Sequence, residues 1–127
     1  MTSFIFNPFV GTDHIFFDEE REAVRKIGDY SEFKKNKFSK NTTDDFGGFH
    51  VYYNEVNRVE AIEFFSDTSL IYMEKDLFTL NPMVLAALLN DQECTDENSF
   101  LSFPNYGMEV VCENEHIVSI FIHRKDY

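Results

Sequence analysis

The sequence predicts an α+β domain: a central antiparallel sheet built from two similar hairpin units, with two helices packed on it. Three observations carry this. Residues 48–65, GFHVYYNEVNRVEAIEFF, read as two strands around a polar turn. Residues 107–123, GMEVVCENEHIVSIFIH, repeat the pattern more faintly. In each, a Gly opens an apolar run, an Asn- and Glu-rich turn follows, and a second apolar strand closes the unit, although neither turn is an Asn-Gly or Asp-Gly. Third, a helix signal precedes each hairpin. The order helix, loop, hairpin therefore occurs twice, over about residues 15–66 and 78–124 of one domain spanning 1–127, and two copies are too few for a solenoid.

Taken in order, Phe4-Ile5-Phe6 is a short apolar run stopped by Asn7-Pro8. Residues 18–27 have the marks of a helix: Asp18 to cap it, Glu19, Glu20 and Glu22 in its first turn, Arg25 and Lys26 in its last, and Gly28 to stop it. Phe17, Val24 and Ile27 give it a narrow apolar stripe, so it belongs on the surface of a sheet. Residues 30–46 are polar, with Phe33 and Phe38 as pins for an edge strand and residues 41–45 as a loop. Lys34, Lys35, Lys37 and Lys40 form a basic run there, and lysines on an exposed edge discourage strand-to-strand aggregation.

After the first hairpin, Leu70-Ile71-Tyr72-Met73 is a candidate strand and Glu74-Lys75-Asp76 a turn. Asn81 is placed to cap, and Pro82 to begin, a helix over residues 82–89. That helix is apolar nearly all round, which predicts that it is the more buried of the two. Residues 91–99 read as a loop, Phe100-Leu101-Ser102-Phe103 as a strand, and residues 124–127 as a short tail. Val59 and Ala61 alternate with Ile62 and Phe64, so both faces of the central strands are apolar. Helices on one face and loops or a partner on the other would explain this.

The chain is long enough to bury a core without disulfides or metals, and 43% hydrophobic content with 15 Phe argues against disorder. Residues 1–11 carry no Lys or Arg ahead of their apolar patch, a poor export signal, and no run is long enough to span a membrane. Cys94 and Cys112 are then expected as reduced thiols in a cytoplasmic protein. The net charge is −12. Residues 1–40 are neutral overall, so residues 41–127 carry the whole excess. Such a field repels nucleic acid and anionic membranes and speeds encounter with a basic partner.

No reaction is announced. His14, His50, His116 and His123 lack metal-site spacing, and no Cys-x-x-Cys, Gly-x-Ser-x-Gly or phosphate-cradling loop is present. His50 and Glu109 hold matching positions in the two hairpins and would meet if the hairpins were neighbours, most simply as a structural hydrogen bond. Cys112 is expected buried and inert, and Cys94 suppressed by the acids around it. Neither a catalytic residue nor a cofactor nor a metal is expected. Aromatics beside acids suit a site for a basic protein, with Tyr52 and Tyr53 on opposite faces of one strand and one of them outward. The candidate contacts are Asp44 and Asp45 before the first hairpin, Tyr52 or Tyr53, Glu60 and Glu63 on its second strand, and Glu74 and Asp76 in the next turn.

The pattern Asp45-Phe46 … Gly48-Phe49-His50-Val51-Tyr52-Tyr53-Asn54 … Arg58-Val59-Glu60-Ala61-Ile62-Glu63-Phe64, closed by Ile117-Val118-Ser119-Ile120-Phe121-Ile122, resembles small acidic immunity proteins. These are encoded beside bacterial polymorphic toxins, including contact-dependent growth inhibition systems. The resemblance implies a cytoplasmic antitoxin, monomeric by default, that binds the C-terminal domain of a cognate toxin and blocks its active site. A basic nuclease is the expected toxin, met by carboxylates in place of phosphates, without direct binding of nucleic acid or membrane. The alternative is a non-catalytic adaptor using the same surface, and a third reading is a small enzyme or ligand-binding domain built on His50 and nearby carboxylates.

Overall fold

Residues 49–65 and 108–123 each contribute two antiparallel strands joined by a turn. The structure is a computed structural model describing residues 3–127, so Met1 and Thr2 of the first stretch lie outside it. The first part of the chain supplies β1 (Ser3–Asn7), β2 (Gly11–Thr12), α1 (Arg21–Val24), β3 (Ser31–Phe33) and β4 (Thr43–Asp45). The first hairpin is β5 (Phe49–Tyr53) with β6 (Val59–Phe65), followed by β7 (Ser69–Tyr72), β8 (Lys75–Asp76) and α2 (Pro82–Leu89). Then come β9 (Thr95–Glu97), β10 (Phe100–Phe103) and the second hairpin, β11 (Met108–Glu113) with β12 (His116–His123).

These strands make an eight-stranded sheet of order β3-β4-β5-β6-β12-β11-β10-β9 and a four-stranded sheet of order β2-β1-β7-β8. The large sheet is antiparallel throughout: two meanders meet at β6 and β12, with Phe64 opposite Ile120 and Ile62 opposite Ile122. The fold is thus α+β, as predicted. The four-stranded sheet is an addition that the sequence did not reveal, because β1 and β7 pair in parallel across some sixty intervening residues.

Strand alternation gives the large sheet two unlike faces. One carries Phe49, Val51, Ile62, Phe64, Ile120 and Ile122, all buried, and forms the core with Phe4, Leu70, Leu77, Val24, Leu85 and Leu89 from the small sheet and the helical segments. The phenyl ring of Phe4 sits 4.9 Å from that of Phe49 and 5.2 Å from that of Phe64, fastening the small sheet to the large one. The other face presents His50, Tyr52, Glu63 and Phe65, with Phe121 directly opposite Glu63. Register shifts at Tyr52/Tyr53 and Val111/Cys112 insert one extra residue each into β6 and β12. Such bulges let Val59 and Ile117 keep inward positions while Ala61 and Ser119 face out.

Several elements depart from expectation, each for a tertiary reason. Asp18 does not cap a helix: it lies at φ 70°, and its N–H donates to the Val59 carbonyl while Val59 N–H donates to Glu19. Arg21 N–H likewise donates to Asn57, so the approach to β6 captures residues 18–20 and α1 starts at Arg21, running on into a 3₁₀ turn over Arg25–Ile27. The Asn81 side chain does cap α2, accepting from Val84 N–H, with Pro82 following. Yet α2 buries only Leu85 and Leu89 fully and leaves Met83 83% exposed, so its apolar composition does not make it an interior helix. Phe38 is 81% exposed and pins nothing. Residues 41–45 and 91–99, read as loops, contribute β4 and the fully exposed edge strand β9, and Glu74-Lys75-Asp76 contributes β8 after a tight turn at Met73-Glu74. Gly107 sits at φ 61° where an added Cβ would lie 2.8 Å from the His123 carbonyl and 2.9 Å from Phe9, so glycine alone lets the second hairpin start there.

Candidate functional site

Asp44 lies in β4 opposite Val51, pointing to the core side, where a carboxylate is costly to bury unless it is neutralised. Two arginines neutralise it. Arg25 donates from Nε to Oδ2 (2.8 Å) and from Nη2 to Oδ1 (2.9 Å), and Arg21 donates from Nη2 to Oδ1 (2.8 Å). The Tyr53 hydroxyl donates to Oδ2 at 3.0 Å. Arg21 also reaches Asn41, Asn57 and Thr42, and Arg25 reaches Glu32 at 2.8 Å. With Glu32 included, the two cations face two anions, and Arg21 stacks its guanidinium 4.3 Å from the centre of the Tyr53 ring. This clamp ties α1 to β4 and β5.

Burial alone would raise the Asp44 pKa, but the hydrogen bonds from Arg25, Arg21 and Tyr53 together outweigh it and hold the carboxyl below its ordinary value. Burial pushes the Tyr53 hydroxyl up, and the neighbouring Asp44 pushes it further, so it stays a donor. A depressed carboxylate binds protons more readily in the unfolded chain than in the folded one. The clamp's contribution is therefore complete above the ordinary Asp range near pH 4 and is lost as pH falls through the lower folded value. Denaturant titrations at pH 6, 4 and 3 should show wild-type stability falling across this window and a shallower fall in Asp44→Asn. Parallel curves would mean that other carboxylates govern acid unfolding.

The outward face of the large sheet is different: it is rich in rings, and loop residues 34–40 and Tyr127 lie over part of it. Two aromatic groups lie along it. His50 sits between Phe33 and Phe65, with ring centres at 5.1 and 4.8 Å. Tyr52, Phe121, His123 and Tyr127 form the second, with Tyr52 5.7 Å from Phe121 and Phe121 5.5 Å from Tyr127. Carboxylates stand among them. The Tyr52 hydroxyl donates to Glu63 Oε1 at 2.7 Å, and Asp45 lies 3.4 Å from His50 Nε2. Burial raises the Tyr127 phenol, with Glu60 and Glu109 adding to it.

Residues 34–40 leave the edge strand β3 and reach back over this face. The Lys35 ammonium lies 4.9 Å from the centre of the Tyr52 ring and 5.7 Å from that of Phe121. Lys40 pairs with Glu55 at 3.1 Å. A depression of about 480 Å³ is lined by Lys35, Lys40, Tyr52, Glu55, Glu60 and Tyr127. A second, of about 240 Å³, is lined by Lys35, Glu63, Phe100, Glu109, Phe121 and Tyr127. Lys35 and Tyr127 form the wall between them.

Of the predicted contact residues, Asp45, Tyr52, Glu60 and Glu63 share this face. Asp44 does not: it is 0% exposed inside the clamp, a correction that follows from β4 being a strand whose middle residue turns inward. Tyr52 and Tyr53 do point to opposite faces, but neither is free, at 8% and 4% exposed, Tyr53 being in the clamp and Tyr52 beneath Lys35. Glu74 and Asp76 belong to the small sheet on the other side of the molecule, Glu74 exposed in the tight turn and Asp76 capping the 3₁₀ turn Leu77–Thr79 through Phe78 N–H. His50 and Glu109 do not meet, because β6 and β12 separate their strands by roughly 14 Å. Lys35, Phe121 and Tyr127 were missed. Only the β6–β12 pairing brings Phe121 beside the first hairpin, and no local pattern encodes it.

Cys112 is buried, and burial followed by nearby Asp96 raises its thiol pKa; burial first, then Asp91 and Asp96, does the same for Cys94. Among the described residues, no three His, Cys, Asp or Glu side chains gather as a metal site, and no helix is long and apolar enough to cross a membrane. Comparison of the chain with protein-family models, with curated proteins and with solved structures found no match.

Proposed function

We propose that this is a non-catalytic binding protein, an antitoxin of the immunity type, that captures a basic toxin domain in the cytoplasm through the outward face of its large sheet. The observation that carries the reading is that face itself. Aromatic rings and carboxylates are interspersed on a sheet face covered in part by residues 34–40 and Tyr127, in a chain of net charge −12. Rigid rings give a partner contact area at low entropic cost, while the surrounding field steers a cationic surface into place. A toxin nuclease with a basic substrate cleft fits this chemistry, with the carboxylates standing in for phosphates.

The test is co-expression with the product of the neighbouring upstream gene, measuring one-to-one capture and relief of growth arrest in the same cells. Capture with rescue supports the reading; neither capture nor rescue overturns it, and an adaptor using the same face would then lead. Given a captured partner, combined Asp45→Asn, Glu60→Gln and Glu63→Gln should slow association about tenfold or more at low salt and flatten its salt dependence. Glu74→Gln, on the small sheet, should change neither. Equal effects from Glu74→Gln and the triple variant would place the interface elsewhere.

A further inference from the structure

Lys34, Lys35, Lys37 and Lys40 are the densest basic run in the chain, and two of them, Lys35 and Lys40, line the larger depression beside Tyr52 on the outward face. Lys35 is itself exposed, and among the described residues no carboxylate lies within ion-pair distance of its ammonium. Its ammonium lies over the Tyr52 and Phe121 rings, while Glu63, hydrogen-bonded to Tyr52, lines the same depression. A cation resting on two ring faces at a solvated site is held weakly. Swinging Lys35 aside would widen the smaller depression into a trough beside Tyr127, flanked by Glu63 and Glu109, while Glu60 in the larger depression is paired with Arg124 at 3.7 Å.

We propose that Lys35 is an internal occupant of a seat for a cationic side chain, and that the trough receives a lysine-bearing segment of a basic protein. The partner's ammonium replaces that of Lys35 over Tyr52 and Phe121 and adds the carboxylates that Lys35 does not reach. This rests on the reading of the outward face as a docking surface. The charge pattern argues for this occupant: an anionic segment would be opposed by Glu63 and Glu109, and a purely apolar one would leave Glu109 without a counter-charge and Glu63 with Tyr52 alone. Because the seat is already filled, a ligand meets only the fraction of molecules in which Lys35 has swung out, and its apparent affinity falls by that fraction.

The experiment is an NMR titration of the full chain with a blocked tetralysine peptide at low ionic strength. Lys35→Ala should bind about two- to fivefold more tightly than the wild type, with shifts centred on Tyr52, Glu63 and Phe121. Lys37→Ala removes the same charge from the same segment, but its ammonium lies over the exposed Phe38 ring, so its gain should be clearly smaller. Adding Phe121→Leu to Lys35→Ala should abolish the gain. Equal gains from Lys35→Ala and Lys37→Ala, or shifts centred on Glu113 and Glu115, would overturn the seat and leave only general attraction to an acidic surface. This readout needs no toxin. A seat without growth rescue would keep the inference and remove the antitoxin reading, and rescue without a seat would do the reverse.

Discussion

Replacing Asp44 by Ala is expected to lower the unfolding free energy by about 3–5 kcal/mol and the melting temperature by roughly 10–20 °C. The cause is less the loss of attraction than what remains. Arg21 would stay buried with one of its main acceptors gone, and Arg25 would keep Glu32 as its one carboxylate, beside the Tyr30 ring. Removing one member of a largely buried ion cluster leaves its partners' charge poorly compensated. Arg25→Ala is a useful contrast, because Arg25 is more exposed and Arg21 continues to hold Asp44. Its cost should be about 1–2 kcal/mol. Equilibrium denaturation of both variants checks the ranking. If Asp44→Ala cost less than about 1 kcal/mol, the cluster would have to be hydrated in solution.

Phe4→Ala should cost a similar amount, about 3–5 kcal/mol, for a different reason. Phe4 is fully buried and sits against Phe49 and Phe64, so truncation opens a cavity where the two sheets meet. Hydrogen exchange shows how the loss is distributed. If the small sheet is integral, protection should fall in β5, β6 and β12 as well as in β1 and β7. If it is an appendage, protection should fall only in β1, β2, β7 and β8, with global stability nearly unchanged.

The elements most legible in the sequence are those whose local chemistry and tertiary role agree. Val51-Tyr52-Tyr53 and Ile120-Phe121-Ile122 have strand propensity, strand alternation and a core to fill. Asn81-Pro82 has both the cap and the fixed φ of a helix start. Legibility failed where a distant partner changed the meaning of a residue. Thr42-Thr43-Asp44-Asp45 looks like a loop because a strand normally turns an apolar residue inward, and here the inward residue is an aspartate made acceptable by two arginines some twenty positions earlier. Asp18 looks like a cap until Val59 takes its N–H. The candidate surface was half visible for the same reason. Asp45, Tyr52, Glu60 and Glu63 could be read from the first hairpin and its approach, but Phe121 and Tyr127, which complete the ring cluster, are brought there by β6–β12 pairing, and Lys35 by a loop that folds back over the sheet.

That pairing also orders events during synthesis. β6 must wait for β12 before its second edge is hydrogen-bonded, since Phe64 pairs with Ile120 and Ile62 with Ile122. Until then a growing chain carries a complete first meander with one open edge, flanked by Ile62 and Phe64, in the middle of what will become the sheet. Closure by so remote a strand makes folding slower than in a protein of local contacts, and exposes that edge to intermolecular pairing in the interval. The chain is thus most aggregation-prone after Phe65 has been made and before Ile122 has, and a ribosome-bound fragment ending between them should be the species that chaperones hold.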